Sequence, residues 1–465
     1  MGNMHFRKLV VASWVLFPTL FGGTPICAQT LTEALASAYS TNPGLLSQRS
    51  DLSVIDEGVP QALGNWRPKI ELSADLEREI TSNNTRLTEG EKDQIRSPRN
   101  ATLTVTQSVF RGFRTRAEVN QAELAVLSKR TTLIGAEQDL LLSAATEYLT
   151  VLQNQAVLEL NKKNEQVLRR QLEATRDRFQ VGEITRTDVS QAEARLAGAI
   201  ATRIKSHGDL NISRASYINV VGSPPGKLTR PKSLSDLPKH LEEAKDVASA
   251  THPDIVQARL ASKTSQEAVT AKKGELYPIL NIVGTFKRDW ESINNESQVT
   301  TGEVKLDLTI PLYQKGTVFS GLRKAKLAAS KTRIDLEETS RTVAENVEST
   351  WESLKAAQAR IKSFQAQIEA ARIALEGVER ESSVGSRTVL DVLDAEQELL
   401  DANVSLIGAQ RDEILASFQL MEAIGRLTAK NLGLPVELFD PTAYYNSVRN
   451  RLFGLDPPDV RKTKN

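Results

Sequence analysis

The chain has 465 residues, with 59 lysines and arginines against 58 aspartates and glutamates. A net charge of +1, with no basic stripe interleaved by aromatics, excludes the electrostatic footprint of a nucleic-acid binder. The length allows two or three ordinary domains, and an aromatic content of 5% suits long polar-faced helices better than one thick globular core.

The N-terminus reads as a secretory signal over residues 1–28. Arg7 and Lys8 precede an apolar run, LVVASWVLFPTLF (9–21), then GGTPICAQT, and cleavage after Ala28 would leave Gln29 first. The run is short and interrupted by Pro18, so it makes a poor membrane-spanning helix, and no later stretch reaches 18 consecutive apolar residues. Cys27, the single cysteine, is expected to leave with the signal, because Thr24-Pro25-Ile26 lacks the leucine and small residues of a lipoprotein signal. The mature chain would then hold no disulfide and no cysteine-based metal site.

Two halves follow one plan, and repeats on this scale dominate a fold. Asn42-Pro43 recurs as His252-Pro253 and Arg67-Pro68 as Tyr277-Pro278, at an offset of 210 residues. Phe110 then matches Tyr313, Tyr148 matches Trp351, Val181-Gly182 matches Val384-Gly385 and Gly222 matches Gly425, all at 203. The drop of seven falls where the first half carries a longer polar loop. The expected division is a first repeat over 29–222, a linker over 223–240, a second repeat over 241–430 and a tail over 431–465.

Each half first presents two stretches that alternate apolar and polar residues. These are KIELSADLERE (69–79) and ATLTVTQSVF (101–110), then LNIVGTFKRDW (280–290) and GEVKLDLTIPLY (302–313). Period two over roughly ten residues is the pattern of transmembrane β-strands, one side to lipid and one to water. Four strands cannot close a barrel, and an unpaired edge is costly in lipid, so such a barrel must be shared among chains.

A long helix is expected next in each half. No proline occurs from Arg99 to Ser223 or from Leu312 to Leu434, and an interior proline would cost a helix about 3 kcal/mol. Leu127, Ile134, Leu141 and Tyr148 recur at sevenfold spacing, with Ala145 and Leu152 beside them, as in a coiled-coil seam. Residues 114–180 would make a helix roughly 100 Å long. Gly182 and Gly385 interrupt the two tracts.

After each interruption a threonine stands three residues before an aspartate, Thr185 before Asp188 and Thr388 before Asp391, a capping-box variant with an acid at the helix N-terminus. Asp394 lies one turn deeper, beyond the cap, and its repeat counterpart is Gln191. Like charges three residues apart on a helix are mildly destabilising, so Asp394 calls for a reason outside the helix. Arg387 also breaks the repeat, since its counterpart is Ile184.

From TLTEALASAYSTNPGL (30–45), through NWRPKIEL and SVFRGF, to VGEITRTDVSQAEARL (181–196) and VGSRTVLDVLDAEQEL (384–399), the chain resembles the TolC family of outer-membrane efflux proteins. The resemblance implies an α+β membrane protein. It would be a homotrimer with a 12-stranded outer-membrane β-barrel, four strands per chain, continued by a 12-helix periplasmic coiled-coil tunnel. The linker and the tail would form an equatorial belt. The implied function is an exit duct for small molecules, proteins or both, without a cofactor. Its partners would be an inner-membrane pump or ABC transporter, a periplasmic adaptor protein and outer-membrane lipid.

For the tips the resemblance implies an entrance at the turns of Gly182 and Gly385, where an adaptor would also contact. Asp391 and Asp394 would repeat around a threefold axis as six carboxylates. Crowded carboxylates titrate together, and such a ring attracts cations. Arg387 would tie the two hairpins through Asp188 in the closed state, and Ser382 stands where the family has a tyrosine in that network.

Two other classes fit less well. His5, His207, His240 and His252 show no metal-ligand spacing, and neither a Gly-rich phosphate loop nor a nucleophile elbow is present, so the chain does not read as an enzyme. A periplasmic coiled-coil structural or adaptor protein would have helical hairpins but no need of four amphipathic strands in two pairs.

Overall fold

A computed structural model describes residues 28–82, 93–234, 236–294 and 296–458. The signal segment before Ala28, Cys27 included, and residues 459–465 of the tail lie outside the described residues. The chain opens with β1 (Ala28–Gln29), α1 (Leu31–Thr41), α2 (Pro43–Asp56) and α3 (Gly58–Gly64). Then come β2 (Lys69–Leu76), β3 (Glu79–Ser82), β4 (Asp93–Arg96), β5 (Arg99–Phe110), α4 (Arg114–Gln180) and α5 (Arg186–Val221). A short β6 (Lys227–Leu228) lies in the linker. The second half runs α6 (Leu241–Thr251), α7 (Pro253–Gly274), β7 (Ile279–Trp290), β8 (Gln298–Thr309), α8 (Thr317–Ser383) and α9 (Val389–Ala423), and α10 (Ala443–Val448) lies in the tail.

The repeated dipeptides now have a physical meaning. Asn42 and His252 are N-caps whose side chains accept the N–H groups of Gly44 and Asp254, and Pro43 and Pro253 occupy the first helical position. That position lacks an intrahelical N–H partner in any case, so proline fits there at no loss. Helices α4 and α8 are 67 residues each, about 100 Å at 1.5 Å per residue, uninterrupted as the proline spacing requires.

The sheet is antiparallel in the order β2-β5-β7-β8. One row of its ladder runs Lys69, Thr106, Val283, Lys305 and another Ile70, Val105, Gly284, Val304. Three expectations are corrected in detail. β2 stops at Leu76, and the chain continues as the separate hairpin β3–β4, with Ile80 opposite Ile95, across part of what reads as polar loop. β8 begins at Gln298 and ends at Thr309, two residues before Pro311, which cannot donate to a ladder. The sevenfold seam is buried at Leu141 and Tyr148, whereas Leu127 and Ile134 are exposed and Val126 and Leu133 are buried instead. A 3.6-residue helix drifts about 20° per heptad from a strict sevenfold row, so the contact row passes to the next position within two heptads.

The main core is a belt around the middle of α4 and α8, where α1, α5, α6 and the end of α9 converge. Its largest fully buried side chains include Tyr148, Tyr217 and Phe418. The Tyr148 hydroxyl lies 2.6 Å from the Thr229 carbonyl and 2.9 Å from that of Gln29, and accepts the Thr229 N–H at 3.0 Å. It thereby fixes β1 and β6, which pair in parallel, to the long helix. The tail closes the belt: Tyr444 donates its hydroxyl to Glu57 at 2.9 Å, and Arg449 pairs with Glu123 of α4 at 2.9 Å.

Candidate functional site

The candidate functional features are the faces of the sheet and the tips of the helical hairpins. Ladder register assigns every strand residue to a face. One face carries Ile70, Leu72 and Leu76 of β2, Leu103 and Val105 of β5, Ile282 and Phe286 of β7, and Val304, Leu306 and Leu308 of β8. The opposite face carries Glu71 and Asp75, Thr102 and Thr104, Lys287 and Asp289, and Glu303, Lys305 and Asp307. The apolar face is open to its surroundings, with Val304 at 81% exposure and Leu72 at 76%. An apolar sheet face left uncovered by protein matches the alternation of a membrane β-strand, which meets lipid on one side and a polar lumen on the other. No helix among the described residues is long and apolar enough to cross a membrane.

At the tips both turns have one construction. Gly182 has φ of 82° and Gly385 of 77°, the left-handed region that glycine enters without steric cost. Each closes a Schellman motif: Gly182 N–H bonds to Phe179 O and Glu183 N–H to Arg178 O, while Gly385 N–H bonds to Ser382 O and Ser386 N–H to Glu381 O. Ser382 is buried, and its carbonyl supplies one of these bonds. The following helices start with reciprocal capping boxes. Thr185 N–H donates to Asp188 Oδ2 at 2.9 Å and Thr388 N–H to Asp391 Oδ2 at 2.9 Å, and each threonine hydroxyl accepts its aspartate's N–H. The backbone and hydroxyl of Thr388 hold the Asp391 carboxyl below the usual carboxylate range, and Arg387 adds to the effect. Beneath the turns, Leu168, Leu172, Ala192, Val389 and Leu393 form a small apolar plug that joins the two hairpins.

The charged residues have distinct partners. Asp394 is ion-paired with Arg195 of α5, a contact that spans the two hairpins. Arg387 donates from Nε to Glu381 at 2.8 Å on its own hairpin, and Asp188 Oδ2 is engaged by Thr185. Among the described residues the ion pair that ties the two hairpin tips, beside the apolar plug, is therefore Arg195 to Asp394. The sequence carries a signal for it: Arg195 has Glu398 as its repeat counterpart, and Asp394 has Gln191, so both ends of the pair depart from the repeat.

A second residue not evident from the sequence is Glu396. It borders a cleft of about 330 Å³ between the hairpins, together with Asn164 of α4, Arg195 and Thr202 of α5, and Leu393 and Gln397 of α9. Burial pushes its carboxyl up to about 7, with Glu379 of α8 acting in the same direction. Its Oε2 has no hydrogen-bond partner among the described residues.

A sheet with an apolar open face, carried on helices of about 100 Å that end in paired capped turns, defines a subunit of a membrane channel with a long aqueous extension. The chain belongs to the outer membrane efflux protein family, whose model matches residues 34–223 and 246–426. It is 34% identical to the outer membrane efflux protein BepC of Brucella suis, over 98% of each chain. It is 26% identical to the outer membrane protein TolC of Vibrio cholerae, over 88% of this chain and 93% of that one. Among solved structures, the CmeC outer membrane channel of Campylobacter jejuni superposes with a TM-score of 0.78 at 13% identity, over 90% of this chain and 89% of that one. The fold is that of outer-membrane efflux channels, and the family is one of transport proteins.

Proposed function

We propose that three copies of this chain form an exit duct from the periplasm through the outer membrane, working with an inner-membrane transporter and a periplasmic adaptor protein. The observation that carries this reading is the four-stranded sheet with an open apolar face and two free edges, β2 and β8. In lipid those edges must pair, β8 of one copy with β2 of the next. Two copies would give eight strands, a barrel about wide enough only for its own side chains. The opposite face carries Glu71, Asp75, Lys287, Asp289, Glu303, Lys305 and Asp307, too many charges for a filled interior, which favours the wider barrel of three copies. The cargo we propose is small molecules ahead of proteins, a reading supported by the name of BepC as an efflux protein.

The tips form the entrance, and the turns at Gly182 and Gly385 are the surface offered to the adaptor. Asp391, ionised and fixed by its cap, supplies one negative charge per chain. Asp394 supplies a second that Arg195 partly neutralises while the hairpins are tied. Arg387, held by Glu381 and interacting with Asp391, is a further gate element, and Asp188 of the other hairpin is its counterpart in the closed state.

Planar-bilayer recording tests both levels of this reading. The purified protein is expected to give long-lived, cation-selective conductance that divalent and trivalent cations block from the tip side. Absence of conductance would remove the duct. Conductance whose selectivity and block survive the Asp391→Ala/Asp394→Ala exchange would remove the ring alone.

A further inference from the structure

After α10 the tail climbs toward the sheet. Arg449 pairs with Glu123, nine residues into α4 and about 14 Å below its start, whereas two residues later the Arg451 carbonyl accepts from Arg67, which stands two residues before β2. The segment beyond is a built turn rather than a frayed end. The Arg451 guanidinium donates to the carbonyls of Phe453 at 3.0 Å and Asp456 at 2.9 Å. Gly454 has φ of 134°, and a Cβ there would collide with that guanidinium. Terminal segments are ordered in this way only where something ties them down. Yet among the described residues the turn leaves its apolar side chains largely uncovered: Leu452 is 63% exposed, Phe453 89% and Leu455 fully exposed.

A complementary bare segment lies at the other edge of the sheet. Ile310, Leu312 and Tyr313 follow β8, and Leu312 and Tyr313 are 89% and 76% exposed. In the first half the counterpart of Tyr313 is Phe110, half-buried with its ring edge-on to Phe113 at 5.3 Å. The chain thus covers this position in one repeat and leaves it open in the other. Trp66, next to the Arg67 that holds the tail, borders one pocket with Phe110 and Phe113, and Phe110 is the repeat counterpart of Tyr313.

We propose that the tail is a strap between copies: Leu452, Phe453 and Leu455 of one chain seat on Ile310, Leu312 and Tyr313 of the neighbour whose β8 pairs with β2. The strap rests on the trimeric reading and adds to it a contact beside the strand seam. It buries two exposed apolar segments at once and continues the interface the free edges already require, which favours a second copy over lipid as the occupant.

Cysteine pairs in a Cys27→Ser background test it, with Phe453→Cys or Leu455→Cys combined in turn with Ile310→Cys or Leu312→Cys. Mild oxidation of isolated outer membranes is expected to give boiling-resistant, reductant-sensitive dimers and trimers for at least one pairing, and none for either single exchange. Unboiled trimer from all four pairs with no covalent band would overturn the strap while leaving the trimer intact. Absence of unboiled trimer in the parent protein would instead overturn the reading beneath it. An environment-sensitive fluorophore on Phe453→Cys adds a second readout. Protection from aqueous quencher without quenching by spin-labelled lipid is expected. Quenching by the lipid would make the segment a membrane anchor, and free access to the aqueous quencher would make it an unbound tail, either of which overturns the proposal.

Discussion

Glu396, near the tips, has its carboxyl pushed toward neutrality. Its carboxyl rises from an ordinary value of 4.5 to about 7 through burial and the proximity of Glu379. The packed tip therefore binds a proton that an opened or unfolded tip releases, and its packing is favoured at low pH and lost as pH rises between about 4.5 and about 7. Conductance through the entrance is expected to increase from pH 5.5 to pH 8, and Glu396→Gln to flatten that dependence at the low-pH level. A bilayer titration with unchanged slope in the variant would assign the effect elsewhere. Arg195 acts differently. Its pair with Asp394 is exposed on both sides, and such pairs contribute under about 1 kcal/mol to stability. Arg195→Ala should thus leave the melting temperature nearly unchanged while loosening the tie and baring the Asp394 carboxylate. Larger and more cation-selective single-channel currents are the expected result, and equal currents would leave the hairpins held by the apolar plug alone.

At the scale of elements, the junction of α4, α7 and the end of α9 stores a similar sensitivity. Burial, reinforced by Asp139 and Asp254, raises Glu422 to about 7, and burial likewise raises Asp139, which is hydrogen-bonded to Glu422. One proton shared by the pair keeps the end of α9 docked. That contribution is present at acid pH and fades as pH rises toward and past about 7. Glu422→Gln is expected to raise the thermal midpoint at pH 8 and to change it little at pH 5.5, as followed by circular dichroism. A uniform shift would point to packing rather than titration. Much of the element plan was legible in the sequence because it depends on local rules. Proline spacing marked the long helices and threonine-to-aspartate spacing marked the tip caps, whereas Asn42-Pro43 and His252-Pro253 read only as repeat markers until the structure showed them to be helix starts. Contacts between elements were less legible. Arg195 meets Asp394 only because two hairpins pack side by side, Glu396 is half-buried because it lies on a face of α9 that period alone does not choose, and Leu127 leaves the seam through helical drift.

For the whole molecule the decisive division is between the two faces of the sheet, because it determines both assembly and conduction. Val304 lies near the middle of β8, on the apolar face, in one row with Ile70, Val105 and Gly284. Lys305 follows it on the polar face. Placing arginine at the membrane midplane costs a barrel strand about 2 to 4 kcal/mol, and a closed trimer bears that cost three times. Val304→Arg is therefore expected to reduce boiling-sensitive trimer in the outer membrane severely, while the helices remain folded in detergent. Lys305→Gln removes a charge from the lumen without touching lipid, so it should assemble at the parent level and shift conductance and ion preference. Outer-membrane fractionation with bilayer recording separates the two effects. If Lys305→Gln failed to assemble while Val304→Arg assembled normally and altered conductance, the faces would be reversed and the barrel closed the other way round. If neither exchange had any effect, the sheet would not lie in a membrane, and the free edges of β2 and β8 would need another partner.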